Sequence, residues 1–130
     1  MRLHKPFLRI LITACLITAY AFKGYAAGDK ALLRHIVTVT FKAGATQQQI
    51  QAVDASFKNL SVKLTMVKAY EWGVVNDPKD TQTIKHVYIT TFANAKDEAE
   101  YGASPLHQAH IKLGADYIEQ VQATDFFVKQ

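Results

Sequence analysis

Residues 35–41, HIVTVTF, return fifty-one positions later as HVYITTF at 86–92. Each is a run of β-branched and aromatic side chains followed by helix-forming sequence, so each reads as a strand that opens a repeated unit. Behind the first, Thr46 and Gln49 form a capping box, and Ile50, Val53, Phe57 and Leu60 recur at helical spacing. VKAYEW at 67–72 reads as a strand ended by Gly73. Behind the second, Asn94 caps a helix to about Gly102, Ser104 and Pro105 start another to about Gln120, and VQATDFFV at 121–128 is the last strand.

The order β, α, β, β, α, β predicts an α+β, ferredoxin-like split βαβ repeat, with a four-stranded antiparallel sheet carrying its helices on one face. Alternation along the repeat strands separates two surfaces. His35, Val37, Val39 and Phe41 with His86, Tyr88, Thr90 and Phe92 carry the aromatic bulk and are expected beneath the helices. Thr38, Thr40, Val87, Ile89 and Thr91 are left on the uncovered face, where a second copy would complete a dimeric α+β barrel. As equivalent members of a repeat, the two opening strands are expected to be parallel neighbours, with His35 and His86 at the same end.

Upstream of this unit, Arg2, Lys5 and Arg9 precede a thirteen-residue apolar run from Ile10 to Phe22, followed by small residues up to Ala26. This is the pattern of a secretory signal peptide, and the run is shorter than the roughly 20 residues a bilayer span requires. Cleavage after Ala26 would leave residues 27–130 as one periplasmic or secreted domain with no membrane attachment. The alternative processing is a lipoprotein box at ITAC, residues 12–15, with Cys15 lipidated.

Removal of residues 1–26 takes four of the fifteen basic side chains and none of the eleven acidic ones, leaving eleven of each. A neutral domain lacks the positive field that holds phosphates, which argues against nucleic acid as a partner. Cys15 is the only cysteine. The domain therefore has no disulfide and depends on its core.

The chemistry-bearing residues cluster in EYGASPLHQAH, 100–110. The Ser104 hydroxyl accepts from the first turn of a helix that Pro105 begins, and His107 falls in that turn, where the helix dipole favours a neutral imidazole. A neutral imidazole serves as a general base. His110 shares a helical face with His107 but reads as a surface or interface residue, because an i, i+3 histidine pair is a poor metal signature. His35 and His86 read either as pocket residues or as hydrogen-bonded strand ends. No acidic cluster accompanies them in the sequence, so no metal site and no cofactor are expected.

RHIVTVTFKAGATQQQI, YEWG, KHVYITTF, SPLHQAH and TDFFV, in that order over residues 32–129, resemble the stress-responsive A/B barrel domain, a dimeric ferredoxin-like family. The resemblance implies a homodimer that closes sheet on sheet. It also implies roles, because a polyketide cyclase of the family uses a tyrosine and a histidine matched by Tyr101 and His107 as its acid/base pair. Two further pocket histidines of that enzyme match His35 and His86. Ser104 departs from the pattern, standing where the family commonly has the first histidine of H-P-x-H.

The expected function is binding of a small organic molecule in a cavity between sheet and helices, through His35 and His86. The alternative is a cofactor-independent cyclase, lyase or isomerase using His107 and Tyr101. A closed scaffold is the contrasting reading, in which Phe57, Trp72, Tyr88 and Phe92 are core aromatics; haem binding stands third.

Overall fold

The computed structural model describes residues 31–129, and the signal-peptide and lipoprotein readings lie outside them. The elements run β1 (Leu33–Phe41), α1 (Gln47–Lys63), β2 (Val67–Val74), β3 (Lys85–Phe92), α2 (Ala95–Ala103), α3 (Pro105–Gly114) and β4 (Ile118–Phe127). They form one antiparallel sheet in the order β2-β3-β1-β4. This is the ferredoxin-like arrangement.

The helix starts follow their caps. The Gln49 amide donates to Thr46 Oγ1 at 3.2 Å, and the Gln49 side chain returns to the Thr46 amide at 2.8 Å. Asn94 Oδ1 accepts from the Asp97 amide at 2.9 Å, and Ser104 Oγ accepts from His107 N–H at 3.2 Å. The apolar stripe of α1, Ile50, Val53, Phe57 and Leu60, is buried against Val37, Val39 and Phe41 of β1 and Tyr88 and Phe92 of β3. Each such side chain, fully buried, contributes roughly 1.5–3 kcal/mol.

Three expectations need correction. β1 and β3 are neighbours but antiparallel, with His35 opposite Thr90 and Val39 opposite His86. The crossover through α1 returns the chain parallel to β1 two places away, and the β2–β3 hairpin then inserts β3 between them in the opposite direction. Four residues of strand, about 13 Å at the usual rise, consequently separate the two histidines. Gly73 does not end β2, because it stays in the ladder opposite Val87. α3 stops at Gly114, six residues short of expectation. A Cβ at that position would lie 2.6 Å from Ile118 Cδ1. Glycine thus lets the chain turn back, with Tyr117 N–H donating to the Gly114 carbonyl at 3.0 Å, and Ile118 enters the core.

The helices cover one face. On the other, Thr38, Thr40, Val87 and Ile89 are half-buried with no helix of the described residues above them. There Arg34 of β1 reaches across β3 to Glu71 of β2 at 3.1 Å, and Thr91, between them, is buried.

Candidate functional site

A cavity of about 440 Å³ lies between the sheet and α3. Val37 and Val39 of β1 with Val121 and Ala123 of β4 form its floor, while Phe57 and Ile111 close it from α1 and α3. It reaches the edge strand β4, where the helical cover ends and Val121 is 56% exposed. Four polar rings also face it: His35, Tyr101, His107 and His110.

The tertiary structure brings Tyr101 and His107 together across the break between α2 and α3, with ring centroids 4.8 Å apart. Tyr101 is buried at 3% exposure. Burial pushes its phenol up to about 12, against a smaller opposing effect from a hydrogen bond with Thr90, so it stays a proton donor through the neutral range.

His107 has a defined tautomer. Its Nδ1 lies 3.2 Å from the Gly102 carbonyl oxygen, which only accepts, so Nδ1 carries the hydrogen and the lone pair of the neutral ring sits on Nε2. Burial lowers its pKa, and the nearby His35 adds to the effect while the Gly102 carbonyl opposes it. His107 is therefore held as a neutral base.

His35 sits 6.3 Å from Tyr101, ring to ring, and its Nδ1 meets Asp125 Oδ1 of β4 at 2.6 Å. His110 belongs to the cavity as well, against its assignment to the surface. It packs edge-on to Phe57 at 4.1 Å, and its Nδ1 pairs with the Ser56 hydroxyl of α1 at 2.8 Å. Burial first, and the neighbouring His107 second, depress its pKa to about 4. The i, i+3 spacing from His107 was the available signal, since it puts both rings on one helix face.

His86 does not line this cavity. Its Nδ1 is 2.8 Å from Asp54 Oδ1 of α1, and the same oxygen accepts from Tyr88 O–H at 2.6 Å. Phe41 meets the ring edge-on at 5.2 Å, and Trp72 lies 5.7 Å away. The strand-end reading of His86 is the one the geometry supports. Trp72 in turn is not a core aromatic, being 48% exposed over Tyr88.

Glu98 and Asp125 are the acidic neighbours that linear spacing did not reveal. One comes from α2 and the other from β4, and their carboxylates converge on His35 with ligand atoms within 4.8 Å of one another. The β1–β4 register, which sets His35 opposite Asp125, brings the β4 carboxylate there, and the packing of α2 on the sheet brings Glu98.

Similar proteins accord with this architecture. A stress-response A/B barrel domain-containing protein, HS1, of Arabidopsis thaliana is 26% identical over 98 residues, covering 75% of this chain and 90% of that protein. The solved hydroxynitrile lyase from Passiflora edulis superposes with a TM-score of 0.70 at 23% identity, over 79% of this chain and 97% of its own. A dimeric ferredoxin-like protein of unknown function from Bacteroides fragilis gives a TM-score of 0.61 at 23% identity, over 75% of this chain and 96% of its own. The family model described as Stress responsive A/B Barrel Domain matches residues 33–128, nearly the whole of the described fold, and the chain belongs to that family.

Proposed function

We propose that this protein binds a small, largely apolar organic molecule in the cavity beneath α3, and that it does so as a secreted or periplasmic homodimer. The observation that carries the reading is the cavity wall. Aliphatic side chains bury the body of a ligand, while His35, Tyr101, His107 and His110 at one side fix a polar group. Among the described residues no lysine or arginine lines the space while Glu119 does, so an anionic ligand would lack a partner and an uncharged one meets the smaller desolvation cost. Export rests on the amino-terminal pattern of residues 1–26. Dimerisation is supported by the sheet face around Thr38, Val87 and Ile89, which none of the described helices covers, and by the dimeric description of the Bacteroides fragilis relative.

A second reading, cofactor-independent acid/base catalysis, is favoured by the Tyr101–His107 pair. His107 Nε2 would take a proton from carbon α to a carbonyl, and the electron pair would move to the carbonyl oxygen, held by the Tyr101 hydroxyl. The fold shared with a hydroxynitrile lyase supports lyase-type chemistry on this scaffold.

Native mass spectrometry of protein purified from its own host tests the binding reading. The expected result is a co-purifying organic mass, lost when Ala123→Trp fills the cavity floor. Ligand-free protein whose Val37, Val121 and Ile111 methyl resonances ignore a library of uncharged aromatic and aliphatic carbonyl compounds would overturn it. The amino-terminal residue of that same protein tests export, with Ala27 expected.

A further inference from the structure

We propose that His35, Glu98 and Asp125 form a binding site for one divalent transition-metal cation, of the Zn2+ or Mn2+ type. The three residues come from β1, α2 and β4, far apart in sequence, and each places one ligand atom within 4.8 Å of the other two. Donors sharing a zinc-like ion sit about 2.0–2.2 Å from it, hence no more than about 4.4 Å from each other. The observed trio, within 4.8 Å, lies close to that limit.

Charge points the same way. Two carboxylates approach one imidazole, and among the described residues neither Glu98 nor Asp125 forms an ion pair with a lysine or arginine. Two carboxylates against one imidazole leave the cluster with an excess of acidic groups, which attracts a cation. Glu98 also faces this space electrostatically, since its charge acts on His107.

The donor set selects among cations. An imidazole with two carboxylates suits zinc or manganese, whereas magnesium and calcium favour oxygen donors throughout. Access is open, because the His35 side chain is mostly covered at 15% exposure while Asp125 stands at 46% beside it. The ring of Tyr101 lies 6.3 Å from that of His35, so the ion occupies the polar end of the cavity. His35 is shared with the cavity wall while Glu98 and Asp125 are not, so uptake of the ion is measurable with the cavity empty and stands apart from the organic ligand.

Isothermal titration of the full chain, free of any affinity tag, with zinc chloride and then manganese chloride tests it. One equivalent per chain is expected, weakened about tenfold or more by Glu98→Gln and by Asp125→Asn, with far-UV circular dichroism unchanged. Magnesium chloride in excess is expected not to displace the ion. Absence of stoichiometric uptake of both metals overturns the proposal. So does uptake that Glu98→Gln leaves unchanged, which would place the ion elsewhere.

Discussion

His107 Nδ1 donates its hydrogen to the carbonyl oxygen of Gly102, five residues earlier and across the break between α2 and α3. That bond decides which ring nitrogen is the base. Long-range proton–nitrogen correlation spectra at pH 7.5 are expected to show His107 as the Nδ1–H tautomer. A ring protonated at Nε2 would contradict the assignment and remove His107 as a base toward the cavity.

His110 makes the folded state sensitive to acid in a defined window. Its pKa falls from the ordinary 6.5 to about 4, so between these values the unfolded chain binds the proton that the folded chain refuses. Stability carried by this group is complete above pH 6.5 and is lost progressively as the pH falls toward 4. Urea midpoints measured at pH 7.5 and 4.5 are expected to differ less in His110→Gln than in the parent; an equal difference would show that His110 does not contribute.

Asp54 holds two buried groups at once, the His86 imidazole and the Tyr88 hydroxyl. Replacing it with alanine leaves them only their long 3.5 Å contact with each other, at about 2–5 kcal/mol by the cost of breaking a buried polar network. Asp54→Asn keeps an acceptor oxygen and is expected to lose less than half as much. The check is equilibrium urea unfolding, with equal losses in the two variants counting against the network.

The uncovered sheet face is expected to hold the dimer together. Ile89 lies at its centre, half-buried with none of the described helices over it and flanked by Ile36 of β1 and Glu71 of β2. Ile89→Arg places a charge there, and analytical ultracentrifugation is expected to show a dimer for the parent and a folded monomer for the variant. A parent that sediments as a monomer at 100 micromolar would dispose of the sheet-to-sheet arrangement.

Local patterns in the chain were sufficient for the framework. Thr46 with Gln49, Asn94, and Ser104 with Pro105 start helices because their side chains satisfy amides within a few residues, a contact that needs no distant part of the molecule. Alternation along 35–41 and 86–92 likewise sorted the two faces of the sheet, since neighbouring side chains on a strand must point opposite ways. Tyr101 and His107 were legible as a pair only through the family resemblance, since their six-residue spacing across a helix break does not by itself require the rings to meet.

What lies across strands was different in kind. The antiparallel run of β1 and β3 sends His86 away from His35 and gives it to Asp54, and the β1–β4 register brings Asp125 to His35 from ninety residues away. No spacing encodes a contact of that separation, because strand direction and register follow from crossover geometry and from the burial of whole faces. The repeat in the sequence therefore specified what the strands are, and packing specified which histidine meets which carboxylate.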